Sequence, residues 1–275
     1  MVHVKVPAST ANIGPGFDSL GMALSLHFEC GTDDTPDGAV LPDERHPAVD
    51  AFRRAGGEGS LWVRGRIPMG RGLGFSGAAR VGGIAAAHVQ RGVDDLARVH
   101  REVLNLATEL EGHPDNVAAS LVGGVTASAG GEVAVVPVAF AATVVVWIPD
   151  FTTSTDKSRT AMPQQVPLAD AVFNIGRATL LVAALASGNR EVMREATRDR
   201  LHQDRRLADA PASLDTLRTA LETRAIAAWL SGSGPTVAVL CDPDDATTVS
   251  AAMPAGGSVK VLQIDTDGAT IVATA

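Results

Sequence analysis

Four glycines, Gly70, Gly72, Gly74 and Gly77, fall within the run Pro68-Met69-Gly70-Arg71-Gly72-Leu73-Gly74-Phe75-Ser76-Gly77-Ala78. Glycine tolerates positive φ and lets main chain approach a ligand closely. The small apolar residues from Ala78 to Val89 predict a helix with a buried face. A glycine loop feeding a helix N-terminus offers unpaired N–H groups and the positive end of a dipole, which suits a phosphate. The run reads equally well as a flexible turn before a packed helix. A P-loop needs Gly-Lys-Ser/Thr at its end, and no lysine lies here. Gly72, Gly74 and Gly77 satisfy the dinucleotide pattern G-x-G-x-x-G, with Asp94 and Asp95 near its acidic position. That loop should follow directly on a buried strand, whereas Arg64, Arg66, Pro68 and Arg71 intervene.

Two further stretches carry polar chemistry. Glu109-Leu110-Glu111-Gly112-His113-Pro114-Asp115-Asn116 groups acids, a histidine and an amide just past an expected helix end. Metal or polar-ligand binding is one reading, and a solvated helix end is the other. Ala8-Ser9-Thr10-Ala11-Asn12-Ile13-Gly14-Pro15-Gly16-Phe17-Asp18 is a long polar loop between two early strands. Such loops on rigid strands often bind ligands. Here Asn12 and Asp18 could equally serve only to cap main-chain groups.

The elements that must hold these residues follow from periodicity. Val2, Val4 and Val6 alternate with polar residues, predicting a half-buried strand stopped by Pro7. Leu24, Leu26 and Phe28 share one face of the next strand. A short helix is expected over 46–55 and a strand over 60–67, leading into the glycine loop. Leu96, Val99, Val103, Leu106, Ala107 and Leu110 mark an amphipathic helix over 94–111. Strands are expected between 125 and 149, with a turn at Gly130-Gly131. Later come helices over 169–186, 191–201 and 214–223, and strands over 225–230, 236–241 and 259–264. Helices and strands segregate unevenly, predicting α+β in two lobes rather than a doubly wound sheet. The lobes are expected to be residues 1–149 and 150–275, divided at the polar stretch that begins with Asp150.

Composition narrows the class. The 275 residues are 45% hydrophobic and 20% charged, as in an ordinary globular protein. A net charge of −8 argues against nonspecific nucleic-acid binding. Cys30 and Cys241 form no disulfide framework, and the N-terminal Met-Val-His-Val-Lys-Val-Pro has no signal-peptide core. A cytoplasmic location is the expectation. Val133 to Ile148 is apolar but contains Pro137, predicting two strands and no membrane helix.

Taken in order, the Pro7–Asp18 stretch, the glycine loop, Glu111–Asn116 and Leu230-Ser231-Gly232-Ser233-Gly234-Pro235-Thr236 resemble the GHMP small-molecule kinases, most closely their homoserine kinase branch. The resemblance spans nearly the whole chain. It implies an N-terminal lobe like the second domain of ribosomal protein S5 and a ferredoxin-like C-terminal lobe. It implies transfer of phosphate from ATP, with Mg²⁺, to the side-chain hydroxyl of a small amino acid, homoserine. Nucleotide phosphates would lie along Pro68, Gly70, Arg71, Gly72, Leu73, Gly74, Phe75, Ser76, Gly77 and Ala78. Ser76 and a glutamate, Glu109 in preference to Glu111, would bind the metal. Asn12, Asp18, His113, Asn116, Thr155, Arg159 and Arg206 would hold the amino acid, with Asn12, Asn116 and Arg159 nearest the chemistry. The only partner implied is the small-molecule substrate, with no nucleic acid and no membrane; a homodimer stays open.

The chain also departs from the family pattern. Phe75 replaces a loop serine, Gly77 an alanine, and Asp204-Arg205 the proline and tyrosine before the substrate arginine. These departures keep two alternatives in view. One is a GHMP kinase for a different hydroxy compound, and the other a nucleotide-binding relative with weakened catalysis.

Overall fold

The computed structural model describes residues 2–152 and 162–272. β1 (His3–Ala11) and β2 (Leu20–Gly31) form a long antiparallel pair at its centre. The alternating valines are inward, with Val4 and Val6 fully buried. Pro7 does not stop the strand as expected. The register shifts between Pro7 and Ala8, and such an irregularity accommodates a residue that has no N–H to donate. β1 therefore runs on to Ala11, and the polar loop shrinks to residues 12–19.

β3 (Trp62–Gly65), β4 (Val125–Ala129), β5 (Glu132–Val136) and β10 (Thr270–Ile271) complete the first sheet, in the order β10-β1-β2-β4-β5 with β3 also on β2. Two helices lie on this sheet, α2 (Phe75–Gln90) and α4 (Asp115–Val122); α1 (Pro47–Arg54) packs on α2, and α3 (His100–Glu111) on both. The amphipathic helix expected from residue 94 begins later. The Asp95 carboxylate accepts from Ala97 N at 3.0 Å and caps a tight 3₁₀ turn, Leu96–Val99, ahead of α3.

The second sheet holds β6 (Thr143–Pro149), β7 (Ala227–Leu230), β8 (Val237–Cys241) and β9 (Gly257–Leu262) in the order β7-β8-β6-β9. Its helices are α5 (Leu168–Ser187), α6 (Met193–Ala196), α7 (Gln203–Ala208), α8 (Pro211–Glu222) and α9 (Ala246–Ala252). Helices between β6 and β7, a direct β7–β8 connection and α9 before β9 give the ferredoxin-like arrangement. Sheet membership departs from a split at residue 149. β6 already belongs to the second sheet, and β10 returns the chain to the first. One continuous core joins the lobes, with Val146, Trp229 and Leu240 packed in the same cluster as Val6 and Leu24.

The helix expected over 191–201 is cut short because Asp199 turns back on the main chain. Its carboxylate accepts from His202 N and Gln203 N at 2.8 and 2.7 Å, ending one segment and starting α7. α5 is apolar and long enough, by length and composition alone, to cross a membrane. In the fold its Leu181, Ala184 and Leu185 face is buried in the core.

Candidate functional site

A cavity of about 340 Å³ lies where the glycine loop, the 12–18 loop, the start of α4, α7 and the β7–β8 turn converge. Its size suits a small ligand.

The glycine loop forms one end. Gly70, Gly72 and Gly74 all have positive φ, at 64°, 73° and 67°. A side chain at Gly72 would run into the Ser231 carbonyl, and one at Gly74 into the Ser9 hydroxyl. The loop is thus pressed against both neighbouring segments. Ser9 N donates to the Leu73 carbonyl at 3.2 Å, and Ser231 Oγ donates to the Gly72 carbonyl at 2.6 Å. Ser231 Oγ also lies 2.8 Å from Thr10 Oγ1, which accepts from Trp229 Nε1 at 2.9 Å. Gly74 stands at the N-cap of α2 with no side chain capping it. The first N–H groups of a helix have no acceptor within it, so this end of α2 presents donors to the cavity.

Pro68, Gly70, Arg71, Gly72, Leu73, Gly74, Phe75 and Ser76 all line the cavity. Gly77 and Ala78 do not. Gly77 sits beneath, where an added Cβ would press on the Asn116 side chain at 3.2 Å, so it allows α2 and α4 to pack closely. Ala78 is fully buried and its N–H bonds to the Gly74 carbonyl, which removes it from the nucleotide set. Arg71 leans across the cavity and donates from Nη2 to the Asp150 carbonyl at 2.9 Å. Phe75 meets Phe28 and His46 edge-on, with ring centroids 6.1 and 5.7 Å apart.

The expected preference for Glu109 over Glu111 runs against the geometry. Glu109 is exposed and does not line the cavity, whereas Glu111 does. Two positions along a helix turn a side chain by about 200°, so the two glutamates leave α3 on nearly opposite faces. Ser76 Oγ donates to Glu111 Oε1 at 2.5 Å, and the carboxylate is 8% exposed. A hydroxyl and a carboxylate side by side are hard oxygen donors of the kind Mg²⁺ prefers, so this pair fits the ion. Arg80, one turn after Ser76 on α2, forms an ion pair with Glu111 Oε2. Nothing in the sequence pattern drew attention to Arg80; only the helical i, i+4 relation to Ser76 could have.

Side chains form the other end. Asn12, Ile13 and Asp18 take left-handed conformations, with φ of 68°, 44° and 55°. Such strain in non-glycine residues persists where surrounding bonds enforce it. Asn12 supplies those bonds. Its Nδ2 donates to the Gly232 carbonyl at 3.0 Å, and its Oδ1 accepts from Asp18 N at 3.1 Å. His113, Asp115 and Asn116 follow directly on the end of α3, as expected. His113 lies in the link between α3 and α4, and Asp115 and Asn116 form the first turn of α4. His113 Nδ1 pairs with Asp115 Oδ1 at 2.6 Å, which turns Nε2 away from that carboxylate. Asp115 Oδ1 also accepts from Asn116 N at 2.7 Å, and Asn116 Oδ1 accepts from Ser9 Oγ at 2.9 Å. Asp18, His113 and Asp115 bring one potential ligand atom each within 4.8 Å of the others.

Arg206 closes this end from α7. Its Nη1 donates to the Gly232 carbonyl at 2.9 Å, and its guanidinium lies 5.3 Å from the Phe17 ring centre. His202 holds it in place. His202 Nε2 lies 2.7 Å from the Gly14 carbonyl and Nδ1 lies 3.2 Å from Arg206 Nη1. This geometry places the proton on Nε2 and the lone pair toward the arginine. Burial pushes the His202 pKa below its ordinary value, which keeps the ring neutral. Thr155 and Arg159 lie outside the described residues. The structure brings Asn12, Asp18, His113, Asn116 and Arg206 to one cavity, and adds Glu111, Asp115, Gly232 and Ser233.

Comparison with known proteins agrees with this architecture. Residues 45–124 match the GHMP kinases N terminal domain, and residues 181–259 the GHMP kinases C terminal domain. The chain is 38% identical to the homoserine kinase of Desulfitobacterium hafniense over 303 residues, covering 99% of this chain and 100% of that one. It is 40% identical to the homoserine kinase of Streptomyces coelicolor over 299 residues, covering 98% and 94%. The crystal structure of homoserine kinase from Cytophaga hutchinsonii superposes with a TM-score of 0.85 at 26% identity, covering 98% and 97%. The chain belongs to the GHMP kinases, within the homoserine kinase family, and is a small-molecule kinase.

Proposed function

We propose that the protein transfers the γ-phosphate of ATP to the side-chain hydroxyl of L-homoserine, giving O-phospho-L-homoserine and ADP. One observation carries the reading: full-length likeness to homoserine kinases is joined to a cavity with a phosphate-suited helix end facing an amino-acid-suited set of side chains. The triphosphate would rest on the loop from Gly70 to Gly74 and the N-terminus of α2, with Arg71 adding positive charge without a loop lysine. Ser76 and Glu111 would hold Mg²⁺, which supplies charge neutralisation on the phosphates when bound.

The substrate is a zwitterion. Asp18 and Asp115 suit its ammonium, and Arg206 suits its carboxylate. Thr155 and Arg159 join this set on the family motif alone. Asn12, His113 and Asn116 would orient the hydroxyl for in-line attack on the γ-phosphorus. Phosphoryl transfer of this kind depends mostly on positioning and charge. Work in the cytoplasm, where ATP is at hand, belongs to the same reading.

Product analysis by ³¹P NMR with ATP, Mg²⁺ and L-homoserine tests it, alongside L-serine, L-threonine and other hydroxy acids. The expected result is phosphohomoserine as the dominant product. Product from another hydroxy compound and none from homoserine overturns the substrate. Tight ATP binding with no product from any acceptor overturns the kinase reading.

A further inference from the structure

Arg80 lies off the cavity, yet it is tied to the carboxylate that faces it. Ser76 and Arg80 stand one turn apart on α2, so both project toward the C-terminal end of α3. There the two oxygens of Glu111 take different partners. Oε1 accepts from Ser76 Oγ at 2.5 Å and lies 3.8 Å from His113 Nε2, and both of these residues line the cavity. Oε2 pairs with Arg80 Nη1.

We infer that Arg80 is a positioning residue for the metal-binding carboxylate. It holds Oε2 so that Oε1 and Ser76 Oγ stand as a preset oxygen pair for the divalent cation that accompanies the nucleotide. This rests on the reading above that Ser76 and Glu111 hold that cation. A glutamate side chain has three rotatable bonds, and a buried carboxylate without a partner turns toward water. The contact of Arg80 with Oε2 removes the rotation that would swing Oε1 away from Ser76. Partners that orient ligating groups in this manner are worth about 10–100-fold in metal affinity. A lysine would keep the charge but not the planar, directional grip.

Mn²⁺ binding, followed by electron paramagnetic resonance on the full chain with a non-hydrolysable ATP analogue, tests the inference without relying on turnover. Arg80→Met is expected to weaken Mn²⁺ binding by about 10–100-fold. Arg80→Lys should recover part of the loss. Homoserine affinity, measured separately by calorimetry, should change little in either variant; a general loss of structure would lower both. Glu111→Gln is the control and should remove most Mn²⁺ binding. Wild-type or tighter Mn²⁺ binding in Arg80→Met, with binding lost in Glu111→Gln, overturns the inference and makes Arg80 a helix tie or a competitor for the carboxylate. Retained binding in Glu111→Gln overturns the metal reading and the inference with it. If Arg80→Met fails to fold, Arg80→Lys decides: a severalfold weaker site supports the inference, and an unchanged one overturns it.

Discussion

At the glycine-loop end of the cavity the donors are mostly main-chain N–H groups, whereas the Asp18 end is built mostly from side chains drawn from three separate segments. The glycine end comes from one continuous stretch, residues 68–76, and relies on conformations that glycine allows. The other end gathers Asn12 and Asp18 from the β1–β2 loop, His113 and Asn116 from around the start of α4, and Arg206 from α7. These side chains also bond to one another's supports. Asn12 and Arg206 both donate to the Gly232 carbonyl, and Asn116 is held by Ser9. A main-chain site keeps its donors when side chains change, provided the turns survive. A side-chain site loses function with each group removed. Besides Arg71, the glycine end has one exception, the Ser76–Glu111–Arg80 cluster, where side chains do carry charge.

That exception is where the comparison breaks most visibly. Glu111→Gln removes the charged partner of Arg80 and the carboxylate beside Ser76. Loss of a charge-assisted contact at a phosphate site costs about 1.5–3 kcal/mol, so activity at fixed Mg²⁺ should drop by about 10–100-fold or more. Folding stability should drop as well, by about 3 kcal/mol, since breaking such a pair leaves a half-buried guanidinium uncompensated. Glu109→Gln, on the opposite face of α3, should match wild type in both assays. Steady-state kinetics across Mg²⁺ concentrations, with chemical denaturation of the same samples, measures both. Equal effects at the two positions would refute the proposal that Glu111, and not Glu109, holds the metal.

The Asp18 end predicts a different pattern. Arg206→Lys should raise the homoserine KM by about 10–100-fold, because an ammonium cannot copy a planar two-pronged contact with a carboxylate. The ATP KM should stay close to wild type, since the bonds of Arg206 to Gly232 and His202 anchor it at the Asp18 end. A shift confined to ATP would reverse the assignment of the two ends.

A smaller effect concerns pH. Burial lowers the pKa of His202, so the folded protein holds the ring neutral while the unfolded chain protonates it near pH 6.5. A depressed folded value means that stability is fully present above the unfolded pKa and is lost as pH falls toward the folded one. Protonation also places a proton on the nitrogen that faces Arg206. Thermal unfolding from pH 7.5 down to 5 should therefore show a falling midpoint, accompanied by weaker homoserine binding. His202→Asn should reduce the dependence and leave the share of His46, His88 and His100, whose pKa values burial lowers as well. A variant with the wild-type slope would assign the acid sensitivity to another group.

Local chemistry made one end of the site easier to read than the other. Glycines at 70, 72 and 74 announce turns, and the small residues after them announce a helix, because both signals sit within a few positions. The early strands were likewise legible, because Val4 and Val6, and Leu24, Leu26 and Phe28, alternate with more polar neighbours. Readings failed where a distant or opposing group decides the outcome. Pro7 sits within a strand because the β2 register shifts to admit it. Asp199 breaks a helix by capping the next. Which carboxylate meets Ser76 is a matter of helical phase: Glu109 and Glu111 look alike in one dimension and diverge once α3 turns one toward Ser76. Arg80 was hidden because its partner lies 31 positions away and on another helix.

Phe75→Ser tests the comparison with the smallest expected change. The family pattern places a serine there, and a hydroxyl beside the phosphates would be missed if side chains carried this end. The Phe75 ring instead packs edge-on to Phe28 and His46, while the start of α2 keeps its N–H groups whatever residue stands at 75. The substitution should therefore leave kcat and the ATP KM within about threefold of wild type, a barrier change under ~1 kcal/mol. Its cost should fall on stability instead, about 1–3 kcal/mol for a partly buried ring and its aromatic contacts. Kinetics and denaturation of one preparation separate the two. A tenfold gain in kcat would mean that the missing hydroxyl limits the natural enzyme, and the glycine end would then depend on side chains as the Asp18 end does.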